Sequence, residues 1–510
     1  MKKSLLLLFS VVLSVSMLLV GCGNKDKKAG SKDGGPKQEI VYAMTTKPVG
    51  MSPTMTNDNA SSQVNDLMYE TLFEFVDGVA QPLLAESYNT PDENTWEIVL
   101  KQDIQFHDGT LFNAEAVKYS FDKLKDPETA APRASLLQPI SEIEVKDEYT
   151  VVLKTKNPYG PMIAALAHGN AGIISPTADQ KQDLMVDPVG TGPFKFDKKE
   201  QEDLIFVRND DYWGDVPKIE KVTFKIVPAV DTALSMLQAG QANFLYNVTA
   251  DSLPRLEGMK DVEIKNVEGT MVQYLVFNTN KGPAVDLDFR RAVAYAIDSE
   301  GLIASLDGTV YGSKGFIGPK LFGYDSSFEQ SEVSFNLEKA QELVQDNGFG
   351  DKEFKLLTPN TPAYKKAAEA IQAQLTQAGF NVSLDMIEWA TYLDVSREGD
   401  FEVAMAAWTN LTVDGSELLY PRLHSDNAGS TNLAKYSNPE LDKLIEESRA
   451  TIDQNERRAK LKQANELVLQ ELPVFPLYHL NVNIAVSKGV EGIQLEPNGN
   501  WRIKNAEIKN

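Results

Sequence analysis

The sequence predicts an α/β protein of at least two domains. The chain has 510 residues, of which 42% are hydrophobic, and this length exceeds what a single hydrophobic core usually supports. Helical and strand-like periodicities alternate through most of the chain. Charged residues are mixed along it and aromatic residues make up 9% of it, so we expect the main body to fold rather than remain disordered.

The clearest helix-then-strand unit lies between residues 365 and 386. Ala368, Ile371 and Leu375 fall on one face of a predicted helix over 365–380, and Gly379 is typical of a helix C-terminus. The strand that follows alternates hydrophobic with polar residues, its hydrophobic positions being Phe380, Val382, Leu384 and Met386. A helix between strands implies a crossover connection, and we therefore expect largely parallel strand pairing.

Local signals predict further elements downstream. A helix over 390–397 precedes a strand over 401–405. Asn438-Pro439 is a typical helix start, and Asp453 can cap the next helix, which Pro473 ends. These signals predict structure and carry no chemistry.

The region between Tyr69 and Ile174 has a different pattern. Short strands over 96–100 and 149–154 flank turns and a helix over 114–124. We therefore predict a separate α+β insert here. No repeat of about 20–50 residues occurs, which disfavours solenoids and propellers.

The first 21 residues predict a signal peptide. Lys2 and Lys3 precede a hydrophobic run that is shorter than the roughly 20 residues of a membrane-spanning helix, and Leu19-Val20-Gly21-Cys22 forms a lipobox. Cys22 is the only cysteine, which excludes internal disulfides and cysteine-based metal sites. A chance cysteine after a signal peptide is the alternative to a lipidated one. Residues 22–38 then predict a lipidated cysteine and a flexible tether, anchored at the extracytoplasmic face of the cell membrane.

Charge and histidine content exclude several classes of function. The net charge of −23 disfavours nucleic-acid binding and favours neutral or cationic ligands over polyanions. His107, His168, His424 and His479 are scattered without metal-binding spacing. We therefore expect no metal site and no cofactor, and interpret His107 as a structural hydrogen-bonding residue.

Several segments resemble the family 5 extracellular solute-binding proteins, which bind oligopeptides, dipeptides, glutathione or nickel for ABC importers. The order and spacing of these segments are similar to those of the family across nearly the whole mature chain. The segments are Leu84–Glu86, Thr95–Glu97, Phe106–Gly109, Ala114–Val117, Gly190–Phe194, Asn209–Gly214, Phe277–Thr279, Arg291–Asp298, Tyr436–Asp442 and Pro473–Pro476.

The resemblance implies a two-lobed type II periplasmic-binding-protein fold with an additional α+β insert in lobe I. Lobe I would comprise residues 39–75, 185–280 and 485–510, the insert residues 76–184, and lobe II residues 281–484. Crossover strands near Thr279–Pro283 and Asn481–Ile484 would form a hinge. The implied protein is a monomer that captures a peptide between its lobes and hands it to ABC permease subunits in the membrane.

The resemblance also suggests how such a peptide is held. The segment from Trp408 to Gly415 resembles the family stretch in which an aspartate shortly after a tryptophan pairs with the ligand α-amino group. Asp414 is thus the candidate partner and Trp408 a wall of the cleft; the alternatives are a turn at Asp414-Gly415 and a core position for Trp408. The loop Thr358–Pro362 lacks the basic residue that faces the ligand carboxylate in dipeptide-binding relatives, which favours longer, capped or glutathione-like peptides.

The remaining candidate ligand contacts each have a structural alternative as a cap, core or crossover residue. They are Thr45, Thr46, Tyr274, Asn278, Thr279, Trp389 and Asn360. Two related functions stay open, a receptor for peptide pheromones or nutrients and a nickel- or haem-binding protein that uses His424. A surface peptidase is disfavoured, because the sequence offers neither an activated nucleophile nor a metal centre.

Overall fold

Helices and strands alternate along the chain in the computed structural model, which describes residues 37–306, 308–331 and 333–509. Cys22, the predicted signal peptide and most of the predicted tether lie outside the described residues. The strands are β1 (Glu39–Met44), β2 (Phe73–Val76), β3 (Val79–Pro82), β4 (Ala85–Asp92), β5 (Thr95–Leu100), β6 (Ile140–Asp147), β7 (Thr150–Thr155), β8 (Phe194–Glu200), β9 (Asp203–Arg208), β10 (Lys221–Ile226), β11 (Phe244–Tyr246), β12 (Val262–Phe277), β13 (Val310–Tyr311), β14 (Phe354–Pro359), β15 (Val382–Ile387), β16 (Val403–Thr409), β17 (Val474–Ser487), β18 (Val490–Glu491), β19 (Gln494–Leu495), β20 (Trp501–Arg502) and β21 (Glu507–Ile508). The α-helices are α1 (Asn59–Asn65), α2 (Ala114–Lys125), α3 (Met162–Leu166), α4 (Pro176–Asp179), α5 (Val230–Gln238), α6 (Leu253–Glu257), α7 (Leu287–Ala296), α8 (Ser299–Ala304), α9 (Leu337–Asn347), α10 (Pro362–Gln377), α11 (Trp389–Glu398), α12 (Ser416–Leu423), α13 (Pro439–Ala450) and α14 (Gln454–Glu471).

An eleven-stranded mixed sheet forms the centre of the fold. Its order is β15-β14-β16-β12-β17-β11-β1-β10-β9-β8, and β13 pairs with β17. Parallel pairing is confined to β14 with β15 and β16, and to β1 with β10 and β11. The other pairs are antiparallel. The expectation of largely parallel pairing is therefore wrong for the sheet as a whole, because β12 and β17 carry the chain through it in opposite directions.

The two long strands β12 and β17 join two parts of this sheet. Strand β12 pairs with β16 only through Met271–Phe277, and β17 pairs with β11 only through Ile484–Val486. Between these stretches the register of β12 against β17 is interrupted from Glu268 to Val272. Each strand thus contributes one end to either part of the sheet, with an irregular segment in the middle.

The observed crossing differs in part from the predicted one. Residues Asn481–Ile484 lie within β17, as expected for a crossover strand. Residues Thr279–Pro283 lie beyond the end of β12 at Phe277, so the crossing on this strand occurs earlier, at its register interruption. Hydrophobicity does not distinguish the two places, because both adjoin buried residues.

Local sequence signals predicted several elements correctly. The helix predicted over 365–380 corresponds to α10, and the strand after it to β15. The side chain of Asn438 accepts hydrogen bonds from the backbone N–H groups of Glu440 and Leu441 at the start of α13. Asp453 likewise caps α14. These ends are correct because a cap is determined by residues two or three positions apart.

The predicted insert region contains a four-stranded antiparallel sheet in the order β4-β5-β7-β6, with α2 packed against it. One contact between this region and the rest of the fold is at Glu70, whose backbone C=O accepts a hydrogen bond from the Ile173 N–H (2.9 Å). The Glu70 carboxylate accepts hydrogen bonds from Thr191 Oγ1 (2.8 Å), Tyr212 OH (2.6 Å) and Trp213 Nε1 (2.8 Å). Burial raises the pKa of Glu70.

His107 connects the turn at 106–109 to the glycine-rich segment after residue 189 by two hydrogen bonds. Its backbone N–H donates to Gly190 O (2.8 Å), and its ring Nε2 donates to Gly192 O (2.9 Å). A Cβ on Gly190 would lie 2.1 Å from Met68 O, so only glycine fits there. Burial lowers the pKa of His107 to about 4, consistent with a neutral structural residue.

No helix among the described residues combines the length and the hydrophobicity that crossing a bilayer requires.

Substituting Gly269 tests how closely the two crossing strands must approach. A Cβ at this position would lie 2.5 Å from Leu480 O and 3.3 Å from Val482 Cγ2. We expect Gly269→Ala to lower the free energy of unfolding by about 1–3 kcal/mol, measured by urea denaturation. Gly258→Ala is the matched control, because a Cβ there comes no closer than 3.4 Å to another atom. Equal stability of the two variants would contradict the close approach.

Candidate functional site

A cavity of about 320 Å³ lies where β12 and β17 cross. Its walls include Gly269–Met271 of β12, Leu480–Asn483 of β17 and Thr409 at the end of β16. The remaining wall comes from segments within 57–66, 168–169, 246–247 and 497–500, together with Leu411. Residues of predicted lobe I, of the predicted insert and of predicted lobe II therefore all line one cavity, which is where the resemblance places a ligand.

Asparagine is the commonest lining residue. The asparagines are Asn57, Asn59, Asn247, Asn481, Asn483, Asn498 and Asn500. An amide side chain both donates and accepts hydrogen bonds, so this lining can pair with the amides of a peptide. Asn481 Nδ2 donates to Gly308 O (2.9 Å), whereas its buried Oδ1 has no hydrogen-bond partner in the described residues. A buried acceptor of this kind costs free energy unless a donor reaches it.

Asp66 is the one acidic residue among the described residues that line this cavity, and no lysine or arginine lines it. It is partly buried and follows the last residue of α1. No described residue donates a hydrogen bond to its carboxylate. Burial raises its pKa to about 7, and Arg502 acts weakly in the opposite direction. A ligand in the cavity would thus meet a carboxylate that is free to pair.

His168 also lines the cavity, as a neutral ring. Its Nδ1 accepts a hydrogen bond from the backbone N–H of Asn170 (3.1 Å), which leaves the ring proton on Nε2. Burial lowers its pKa to about 3. His168 can therefore donate a hydrogen bond to a ligand but adds no charge near neutral pH.

Asp414, the predicted partner of a ligand ammonium, does not line the cavity. Its carboxylate binds Arg457 Nη2 at 2.8 and 3.0 Å and accepts hydrogen bonds from Ser416 N (2.9 Å) and Oγ (2.7 Å). Both charged residues are buried, and Arg457 Nε also donates to Ser448 O (2.8 Å). This arrangement favours a structural role, because the negative charge is already neutralised by a buried arginine that joins α12, α13 and α14.

Trp408 and Tyr274 lie together on neighbouring strands but also away from the cavity lining. Tyr274 OH accepts a hydrogen bond from Arg422 Nε (2.8 Å), and the Arg422 guanidinium lies 5.0 Å from the Trp408 ring centroid. Tyr274 is fully buried against Phe316. The core alternative for Trp408 fits this contact better than a wall of the cavity.

Asn278 and Thr279 bind the backbone of predicted lobe II. Asn278 Nδ2 donates to Gly399 O (2.9 Å) and Phe401 O (3.2 Å). Thr279 Oγ1 donates to Ala434 O (3.0 Å). These hydrogen bonds occupy both side chains, as expected for residues that position the chain after β12.

The other predicted contacts lie at the ends of strands. Thr45 is partly buried and Thr46 exposed just after β1. Trp389 is 46% exposed and stacks on Tyr392 with ring centroids 5.7 Å apart. Asn360 lies after β14 and lines a shallow pocket that also includes Asp251, which lies between β11 and α6 in predicted lobe I. None of these four residues lines the main cavity.

A second cavity of about 480 Å³ is larger but lies on one side only. Its lining falls within residues 297–335 and 469–477, all of them in predicted lobe II. Closure of two lobes over a solute requires a cavity that both contribute to, and the cavity at the crossing strands meets this condition. We therefore take the smaller cavity as the candidate site.

The described residues contain no group of three or more His, Cys, Asp or Glu side chains that could hold a metal ion. His424 has Glu446 Oε1 at 3.3 Å and Asp426 Oδ2 at 3.8 Å from its ring nitrogens, and its Nδ1 accepts a hydrogen bond from the backbone of Asp426. Both ring nitrogens of His424 thus already have partners, Nδ1 in the Asp426 backbone and Nε2 in Glu446.

Comparison with known proteins places this geometry in a family context. Residues 79–430 match the family described as bacterial extracellular solute-binding proteins, family 5 Middle. The glutathione-binding protein GsiB of Shigella flexneri is 28% identical over 488 residues, covering 92% of this chain and 95% of the relative. The dipeptide-binding protein of Escherichia coli K12 is 26% identical over 509 residues, covering 92% and 94%.

A solved structure shows the same fold. HbpA2 from Haemophilus parasuis superposes with a TM-score of 0.84 at 25% sequence identity, covering 92% of this chain and all of that one. The predicted fold class, the type II periplasmic-binding-protein fold, is confirmed by this similarity and by the large mixed sheet.

The roles of Asp414 can be separated by a double substitution. We expect Asp414→Asn to lower the free energy of unfolding by about 3–5 kcal/mol, because it leaves the Arg457 charge buried without its partner. Asp414→Asn combined with Arg457→Met should recover much of this loss, measured by urea denaturation. If Asp414→Asn kept full stability but lost ligand binding, the role predicted from the resemblance would be restored.

Proposed function

Since the chain belongs to the bacterial extracellular solute-binding proteins of family 5, we propose that it captures a peptide in the cavity at the crossing strands and delivers it to the permease of an ABC importer. The match extends over residues 79–430, and the family resemblance noted in the sequence is thereby confirmed. The observation that carries the proposal is the position of the cavity, which lies where two strands link two parts of the sheet.

The lining of the cavity supports a peptide as the solute. Asparagine amides, the hydroxyl of Ser62 and backbone groups of both crossing strands surround it, and these groups can replace the hydration of peptide amides. The volume of about 320 Å³ lies at the small end of ligand sites, which favours a short peptide or a glutathione-like tripeptide. The names of the relatives, a glutathione-binding and a dipeptide-binding protein, agree with this class.

The proposed mechanism is closure of two lobes about the crossing strands. We assign residues 39–75, 185–280 and 485–510 to lobe I, 76–184 to its insert and 281–484 to lobe II. One hydrophobic cluster is drawn entirely from residues 275–478 and another from residues 43–262 with Ala485, whereas the largest cluster combines residues of both proposed lobes and of the insert. The register interruption of β12 at 268–272 is the natural place for bending, because ladder hydrogen bonds are missing there.

The same proposal includes the attachment of the protein to the membrane. Residues 1–21 would be removed as a signal peptide, Cys22 would carry the lipid, and residues up to 38 would form the tether. The lipobox supports this assignment, and so does the extracellular location in the family description. Mass spectrometry of the N-terminal peptide from membrane-purified protein should find diacylglycerol on Cys22, and Cys22→Ser should release the protein from the membrane.

Peptide binding can be tested with a substitution that fills the cavity. Thr409 is exposed, ends a strand and lines the cavity, so Thr409→Trp should occupy the binding space. We expect a tripeptide pool at 100 times its dissociation constant to stabilise the unmodified protein by about 2.7 kcal/mol and to leave Thr409→Trp unchanged. Ser87→Trp, at an exposed strand position outside the cavity, is the control and should bind normally.

The alternative functions predict different experimental outcomes. Intact peptides after prolonged incubation support a binding protein that is not an enzyme, whereas cleavage products would indicate a peptidase. Loss of growth on peptides in a deletion strain supports import, and unchanged growth would favour a receptor for peptide signals. Size-exclusion chromatography should give the mass of a monomer.

A further inference from the structure

We propose that the carboxylate of Asp66 is the ion-pair partner of a positively charged group on the ligand, so that the cavity selects solutes that carry an ammonium or guanidinium group. This inference rests on the proposed function, since it assumes that the cavity at the crossing strands holds the solute. Asp66 would thus determine which chemical class of ligand binds.

The neighbouring acids Glu70 and Glu74 already have hydrogen-bond or ion-pair partners. Glu70 accepts three hydrogen bonds within its buried network. Glu74 lies 3.4 Å from Arg502 Nε and 3.6 Å from Lys504 Nζ. No hydrogen bond or ion pair reaches the carboxylate of Asp66 from the described residues, and Arg502 acts on it only at longer range.

Arg502 is the cation that acts on Asp66 most directly, by lowering its pKa. Its Nη1 donates to Phe75 O (2.7 Å) and lies 3.4 Å from Glu496 Oε1, and its Nε faces Glu74. The guanidinium thus already has other acceptors in Phe75, Glu496 and Glu74. A ligand cation that enters the cavity has no competitor for this carboxylate among the described residues.

The surroundings of the Asp66 carboxylate suit a positively charged group. Gly169 lies beside it, and a Cβ there would be 3.4 Å from Asp66 Oδ1. Asp66 also follows the C-terminus of α1, where the helix dipole favours a positive charge. The rest of the described lining is neutral, and asparagine is its commonest residue type. A cationic group placed next to Asp66 would meet negative potential on one side and hydrogen-bond acceptors on the others.

Ion pairing of this kind would couple binding to pH. In the empty cavity burial raises the pKa of Asp66 to about 7, so the carboxyl group is protonated in a growing fraction of molecules as the pH falls below 7. A bound cation favours the ionised form and must displace that proton. Affinity for a cationic ligand should therefore decrease below pH 7, whereas affinity for a neutral ligand should not.

The other ionisable groups around Asp66 do not produce the same dependence. On the cavity side His168 is neutral, with a pKa of about 3, and burial raises the pKa of Tyr246 above its usual value. On the side of the adjoining small pocket lie Glu70, Glu74, Arg502 and Lys504. Arginine and lysine stay charged between pH 5.5 and 8, and the two glutamates lie in the contacts described above, away from the main cavity.

The experiment compares a tripeptide pool with free amino groups against the same pool after N-acetylation, by calorimetric titration of the full mature chain. With the free pool, we expect binding about 10- to 15-fold weaker at pH 5.5 than at pH 8. Protonation of a carboxyl group with a pKa near 7 alone gives about 30-fold, and the peptide α-amino group, with a pKa of about 8, offsets part of it by losing its charge at pH 8. The acetylated pool should bind weakly at both pH values.

Asp66→Asn keeps the size of the side chain and removes its charge. We expect it to weaken binding of the free pool at pH 8 by about 30-fold or more and to abolish the pH dependence. Asp346→Asn, an exposed acid on α9, is the control and should leave both unchanged. Circular dichroism should confirm that each variant is folded.

The outcomes separate this inference from the proposed function. If the unmodified chain binds peptides but Asp66→Asn binds them equally well with an unchanged pH profile, the role of Asp66 is wrong while peptide binding stands. If neither pool binds to the unmodified chain, the proposed function itself fails.

Discussion

The antiparallel pairing of β12 with β17 is the contact on which the rest of this structure depends. These strands are 16 and 14 residues long, and each ends in a different part of the sheet. Ladder pairing on both sides of an irregular segment keeps the two parts in one sheet, and at Gly269, within that segment, a side chain would collide with Leu480 O. Regular pairing is lost between Glu268 and Val272, and Gly269–Met271 of this segment line the cavity together with Leu480–Asn483 of β17. The site thus lies where the two strands stay close without a regular ladder.

The polar groups of the structure fall into two kinds according to whether they are satisfied. The buried ion pair of Asp414 and Arg457 and the network of Glu70 have partners for their charges and hydrogen-bonding groups. Asp66 and the Oδ1 atom of Asn481 do not, and both border the cavity. Unsatisfied polar groups cost free energy in the unliganded protein. A solute that donates hydrogen bonds in the cavity would complete both Asp66 and Asn481 Oδ1, whereas other unpaired buried atoms, such as those of the His479 ring, lie elsewhere.

The sequence predicted local features well and long-range features less well. The caps Asn438 and Asp453 were identified correctly because their partners lie two or three residues away. The mixed pairing of the sheet was missed, because β12 meets β17 across about two hundred residues of chain and periodicity does not show the partner of a strand. Asp66 was missed for a similar reason. Its surroundings come from residues near 169 and 500, and nothing in its immediate sequence distinguishes it from an exposed acid.

The pairing of Asp414 with Arg457 is another long-range feature, because its two residues lie 43 positions apart in the chain. The motifs that identify the family are tied to the framework here: Thr191 and Trp213 bind Glu70, His107 binds the glycine segment, and Asn278 binds the backbone after α11. None of these residues lines the cavity. A motif that stabilises the framework can stay the same while the solute changes, because it does not contact the solute. Under the proposed function, ligand preference would reside outside these motifs, in the asparagines and the one described carboxylate that line the cavity.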